Sequence, residues 1–164
     1  MKDGAVGIVF SKDRKKVLLV KRRDLPVWVV PGGGVEINET PKDAAKRETE
    51  EETGFKVKIL RQTGIYQKMT TKPTGKTHVF ECLSIGGKPQ LGKETAAVKY
   101  WSLLNLPAQL PFYQKVWIED AIENLMKVVN REQEITSRKL FIYYLRSPEI
   151  IVTYLVRQLS RFFR

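Results

Sequence analysis

Three consecutive glycines, Gly32, Gly33 and Gly34, stand just ahead of seven carboxylates in residues 31–55, PGGGVEINETPKDAAKRETEEETGF. On a helix, Glu48, Glu51 and Glu52 fall at i, i+3 and i+4 and project from one face. Like charges so placed repel by roughly 0.2–0.5 kcal/mol per pair. Taken alone, RETEEET reads as a solvated acidic face. The chemical alternative is a hard divalent cation, since Mg²⁺ is held by a few carboxylates together with waters and the phosphate oxygens of a substrate. Fixed offsets favour the second: Gly33, Glu39, the pair Arg47-Glu48, the pair Glu51-Glu52 and Gly54 form a spaced set that a merely acidic helix does not need.

The elements that must hold these residues are well marked. Thr40 suits an N-cap, Pro41 the first helical position, Asp43 the third position of a capping box, and Gly54 the C-terminal stop, which predicts a helix from 41 to 53. Ahead of it, AVGIVF and KVLLV are short β-branched runs separated by residues 11–14, which reads as a hairpin. Behind it, KVKILRQTGIY, KTHVFECLSI and AVKYWSL read as strands divided by KPTGK and GGKPQLGK. Tyr113, Val116, Trp117, Ala121, Leu125 and Val128 recur at helical spacing in PFYQKVWIEDAIENLMKVVN. The outline is a mixed sheet with helices packed on it.

Composition limits the rest. A chain of 164 residues, 42% hydrophobic and 29% charged, is sized for one main domain, with no apolar run of eighteen residues to span a bilayer. The N-terminus lacks the pattern of a secretory leader, and a single cysteine, Cys82, in the apolar run HVFECLSI, makes no internal disulfide. A cytoplasmic setting is expected. A net charge of +11 favours acidic ligands, whether nucleotides, nucleic acid or an anionic membrane surface. Against that background the acidic stretch is a local reversal of sign.

At these residues the chain resembles the Nudix hydrolase family, whose box has the form G-x5-E-x7-R-E-U-x-E-E-x-G-U, with U a bulky apolar residue. GGVEINETPKDAAKRETEEETGF matches every glycine and polar position, and Phe55 fills the last U. Thr49 departs from the pattern where an aliphatic residue is usual, which predicts weaker helix-to-sheet packing and leaves the charges untouched. The lead-in VWVVPGGGVE and the later YWSLLNLP are also similar to the family, so the resemblance runs from about residue 3 to about residue 128.

The resemblance implies an α/β (α+β) fold, an α/β/α sandwich with a mixed sheet, of the compact MutT-like kind. It implies Mg²⁺-dependent hydrolysis, with Mn²⁺ as a substitute, of a phosphoanhydride bond in a nucleoside diphosphate linked to another moiety, with a nucleoside triphosphate or related nucleotide as the expected substrate. Glu48, Glu51 and Glu52, with Gly33, are then the metal set. Glu51, Glu52, Arg47 and Glu94 are the candidate catalytic groups, with Arg47 orienting a neighbouring glutamate and the general base either in the box or at Glu94. Gly32 and Gly34, whose missing side chains let backbone approach a phosphate, and Arg22 or Arg23 are the candidate substrate contacts. His78 is read as structural ahead of a substrate contact, and Trp28 and Tyr66 as either base-stacking or core. Two alternatives of other classes stand beside this: a nucleotide- or RNA-binding regulator on the same fold without turnover, and an RNA 5′-end pyrophosphohydrolase.

Residues 1–130 make up the expected hydrolase domain and 131–164 a basic helical extension. In the latter, Ile151, Val152, Leu155, Val156, Leu159, Phe162 and Phe163 form one arc of a helix, opposite Arg157, Ser160, Arg161 and Arg164, after the apolar LFIYYL and Pro148. Packing on its own domain or on a second subunit is the first reading of that helix. An anionic membrane surface, which would make the protein peripheral, and a partner protein are the others.

Overall fold

Ser11 to Arg14 does turn the chain, with the Arg14 N–H donating to the Ser11 carbonyl at 2.8 Å and the Ser11 N–H to the Lys16 carbonyl at 2.9 Å. The strands on either side then part. The structure, a computed structural model, describes residues 2–69 and 75–162, with side chains through 158. In it β1 (Gly4–Val9) and β2 (Lys16–Arg22) enter different sheets, with the bridge Phe10–Val17 between them. The expected hairpin is therefore corrected to a crossover between sheets. The physical reason lies in the runs themselves, which are apolar on both faces and so must be covered on both. From β1, Val6 and Ile8 enter one core with Val17 and Leu19, while Ala5 and Val9 enter the other with Leu18.

The five-stranded sheet runs β4-β1-β6-β5-β8, and the three-stranded sheet β3-β2-β7. Here β3 is Trp28–Val29, β4 Gly32–Gly34, β5 Phe55–Met69, β6 Lys76–Gly87, β7 Thr95–Ser102 and β8 Val129–Glu134. Parallel pairs β1–β6 and β5–β8 mix with antiparallel β1–β4 and β5–β6, giving the expected mixed fold, with four helices among the described residues. Helix α1 (Pro41–Thr53) covers one side, through Ala44 and Ala45. Helix α2 (Phe112–Glu123) covers the other, through Trp117, Ile118 and Ala121. Among the described residues no helix is long and apolar enough to cross a membrane.

Helix α1 has the predicted limits. Thr40 Oγ1 accepts from the Asp43 N–H at 3.2 Å, and Gly54 closes the helix at φ 74, a conformation that costs a residue with a Cβ. Thr49, where weaker packing was expected, is instead fully buried, with its hydroxyl donating to the Ala45 carbonyl at 2.6 Å. Gly7 of β1 makes the room: a Cβ there would collide with Thr49 Oγ1 and lie 3.0 Å from Cys82 Sγ. Gly7→Ala is thus expected to destabilise the fold by ~1–3 kcal/mol through overpacking. A lowered urea midpoint at unchanged slope would report it, and an unshifted midpoint would mean α1 can move away from β1 at no cost.

The late apolar pattern was read too far. Helix α2 stops at Glu123, where Arg61 Nη1 and Nη2 donate to the Asn124 and Ala121 carbonyls at 3.0 and 2.7 Å, and Leu125 and Val128 are exposed. Strand β8 crosses residue 130 and pairs with β5 from Gly64–Val129 to Met69–Glu134, so the sheet reaches four residues into the expected extension. Tyr66 is core: it is buried against Trp117 with its hydroxyl donating to Asp120 Oδ2 at 2.9 Å. Trp28 packs edge-on to Trp101 against the same core. His78 lies between Gln62 and Asp3, which fits its structural reading.

Helices α3 (Ser137–Arg146) and α4 (Pro148–Phe162) follow. Ile150 is buried, but Ile151, Val152, Leu155 and Val156 are exposed, so their own domain does not cover them. The side chains of Leu159, Ser160, Arg161 and Phe162, residues Phe163 and Arg164, and most of the predicted KPTGK turn lie outside the described residues.

Candidate active site: an acidic cleft under a glycine strand

The cleft, of about 870 Å³, opens between β4 and the C-terminal half of α1 and is closed on its far side by residues 90–94. Helical spacing points the box glutamates toward the glycines, and β4 lies over them because its pairing with β1 places Gly32 opposite Val6 and Gly34 opposite Gly4. The missing side chain of Gly33 leaves room for the Glu48 carboxylate, which a Cβ there would push out of its present place. One carboxylate is also held by backbone: the Gly32 N–H donates to Glu52 Oε2 at 2.9 Å.

Arg47 organises the acidic end. Its Nε and Nη2 bind both oxygens of Glu39 at 2.8 and 2.9 Å, its Nη1 donates to Glu48 Oε1 at 2.8 Å, and its Nη2 reaches the Gly34 carbonyl at 3.3 Å. Such a two-pronged pair is strong and directional. The Arg47 side-chain bonds, with the Glu36 N–H, hold the Glu39 carboxyl down at about 2. The same bonds, led by Glu39, raise the Arg47 pKa further. Glu39 therefore anchors Arg47, and Arg47 in turn aims Glu48.

Glu52 is the group out of balance. Burial chiefly, then the charges of Glu48 and Glu94, push its carboxyl up to about 7, against the opposing Gly32 N–H and Arg22. A carboxyl so placed is one that a cation would stabilise. The donor set fits a hard divalent ion, with Glu48 and Glu52 facing the cleft and only oxygen donors at hand. Among the described residues, however, no three His, Cys, Asp or Glu side chains are already drawn together as a metal cage. Glu51 lines the cleft but is largely exposed, and its nearest charge is Arg47 at 3.4 Å.

The remaining expected residues divide. Glu94 lines the cleft and is felt by both Glu52 and Arg22. Arg22 also lines it, paired with Asp24 through two bonds of 2.6 Å. Arg23 is absent from the lining: its main chain donates to the Glu94 carbonyl at 2.9 Å and accepts from Arg157 Nη2 at 3.1 Å. Sequence reasoning passed over Gln90, Leu91, Gly92 and Lys93, which also line the cleft. The signal was the tight loop GKPQLGK, which docks on the end of α1 through the Gln90 N–H and the Thr53 carbonyl at 2.9 Å.

The NUDIX domain family model matches residues 1–121. A putative 8-oxo-dGTP diphosphatase of Bacillus subtilis is 38% identical over 111 residues, covering 67% of this chain and 70% of that protein. An ADP-ribose pyrophosphatase of Methanocaldococcus jannaschii is 36% identical over 121 residues, 71% of this chain and 70% of that one. Among solved structures, an ADP-ribose pyrophosphatase from Streptococcus suis superposes with a TM-score of 0.67 at 27% identity, over 79% of this chain and 98% of that one.

Proposed function

The chain belongs to the Nudix family of hydrolases, and from that membership and the cleft we propose that it cleaves the phosphoanhydride of a nucleoside diphosphate linked to another group, such as a nucleoside triphosphate, with Mg²⁺ or Mn²⁺. The observation that carries this is the desolvated Glu52 carboxyl facing Glu48 and Glu94 beneath the Gly32 N–H. Glu48 and Glu52, with Glu51 and the main chain of Gly33, would hold the ion, which when bound neutralises charge on phosphoryl oxygens and favours deprotonation of water.

The chain's own groups do the rest. Arg47 keeps Glu48 turned to the cleft, and the Gly32 N–H keeps Glu52 there. Glu94, across from them, accepts the proton of the attacking water, because a general base has to stand beside that water. Arg22 binds the phosphates, and Gly32 and Gly34 let them approach the backbone. A panel of nucleoside triphosphates, oxidised nucleotides, dinucleoside polyphosphates, nucleotide sugars and 5′-triphosphate RNA tests the reading. Turnover of one class with Mg²⁺, lost in Glu48→Gln, is expected. Silence across the panel with nucleotide still bound would turn the reading to a regulator.

On the outer side of the extension, the exposed row Ile151, Val152, Leu155 and Val156 fits a second copy of the chain or an anionic lipid surface better than packing on its own domain.

A further inference from the structure

Helix α4 is set the wrong way round for a helix that only packs on its own domain. Glu149, Thr153 and Arg157 recur at four-residue spacing and share one side with Ile150. That side faces the protein: Ile150 is buried, Glu149 Oε1 accepts from Gln109 Nε2 at 2.7 Å, and Arg157 Nη2 donates to the Arg23 carbonyl at 3.1 Å. The apolar residues are left on the other side, where Ile151, Val152, Leu155 and Val156 are exposed, and Tyr154 with them. An amphipathic helix ordinarily buries its apolar stripe and wets its charged one.

Helix α3 continues the pattern. Leu140, Tyr143 and Tyr144 turn inward with Ile150 onto a hollow of about 380 Å³ that also reaches Arg22. Phe141 and Leu145, one turn apart on the side away from the hollow, are 64% and 65% exposed. Around them Arg138, Lys139 and Arg146 are exposed as well, with Lys139 Nζ reaching the Glu134 carbonyl at 3.2 Å. Glu149 is the one carboxylate of residues 137–158, and Gln109 holds it on the inner side.

Charge decides between a second copy and a lipid surface as the occupant of this face. From 135 to 164 the sequence has six Lys and Arg against one Glu, in a chain of net charge +11. A second copy would bring the same cations against their like with no carboxylate between them. An anionic lipid surface takes both the apolar row and the cations around it. We propose that α3 and α4 lie with their outer sides on an anionic phospholipid surface, the apolar row at the acyl boundary and Arg138, Lys139 and Arg146 at the headgroups. The docking holds whichever bond the cleft cleaves.

Co-sedimentation of the full chain with vesicles of phosphatidylcholine alone, and with roughly three parts in ten replaced by phosphatidylserine, tests this, with circular dichroism to check folding. The wild type should bind the mixed vesicles at least about tenfold more tightly than the neutral ones. Leu145→Ser with Leu155→Ser keeps every charge, and Arg138→Gln with Lys139→Gln and Arg146→Gln keeps every apolar residue. Each set should weaken binding to the mixed vesicles by about tenfold or more. In Leu155→Trp the indole emission should move to the blue on the mixed vesicles. Equal binding to the two vesicles would overturn the assignment, and so would an unshifted emission. If the folded serine variant binds like the wild type, net charge alone draws the chain to lipid and the face has no part in it. A dimer by light scattering that the serine substitutions dissociate, with no vesicle bound, gives the face to a second copy and overturns the assignment too.

Discussion

In Glu52→Gln, kcat falls by about 10³-fold, ~4 kcal/mol of activation free energy, while the fold is kept. The substitution is nearly isosteric, and the amide oxygen can still accept the Gly32 N–H that Glu52 Oε2 accepts at 2.9 Å. What disappears is the negative charge of a carboxylate whose ionisation burial, Glu48 and Glu94 all oppose. Ion affinity and the field at the phosphates are lost together, so activity should not recover at saturating substrate. Steady-state kinetics on whichever nucleotide class the wild type cleaves decides it. A variant within tenfold of wild type would take Glu52 out of the machinery.

Chelation of divalent cations should cost turnover a similar factor, and it should also expose a pH dependence of stability. The sign follows from Glu52, whose carboxyl titrates near 7 in the fold against an ordinary 4.5. Between those values the native state holds the extra proton, so stability declines as pH rises and the loss is complete above about 7. The loss is on the order of 3 kcal/mol, or about 5–10 °C in Tm. Glu39, held down at about 2 by Arg47, acts in the reverse sense, but only below about pH 4, so the two windows do not overlap. Calorimetry of metal-free protein from pH 5 to 8 should show the fall, Mg²⁺ should reverse it, and Glu52→Gln should flatten it. A Tm that is level across this range in metal-free wild type would mean that Glu52 is hydrated and already charged.

The acidic helix was legible almost residue by residue, because its signals are local: a cap at Thr40, a stop at Gly54, and carboxylates at helical spacing. What failed depends on partners distant in the chain. Nothing beside Gly7 announces that Thr49, 42 positions on, needs the space of its missing Cβ. The turn after Phe10 was recognised, but the crossover to a second sheet comes from helices that cover both faces of the strands it joins. Strand β8, VNREQE, shows no apolar alternation. Its pairing with β5 is reinforced by Arg131 Nη2 on Asp120 Oδ1 at 3.0 Å and by Trp117 Nε1 on Gln133 Oε1 at 3.0 Å, contacts invisible to periodicity. Tyr143 and Tyr144 of α3 read as part of an apolar run, and only the fold shows that they line one hollow with Arg22.

Strand β8 carries one more implication, for solubility. It is the last strand of its sheet, and from Gly64 to Met69 it occupies the outer row of donors and acceptors on β5. Cut back to residue 121, where the family match ends, the chain would present that row bare, together with a buried Asp120 deprived of Arg131. An open sheet margin is a template for strand addition by other chains. The short polar strand, four of its six residues exposed, covers that margin, so a chain cut at residue 121 is expected to self-associate more than one that keeps Val129–Glu134.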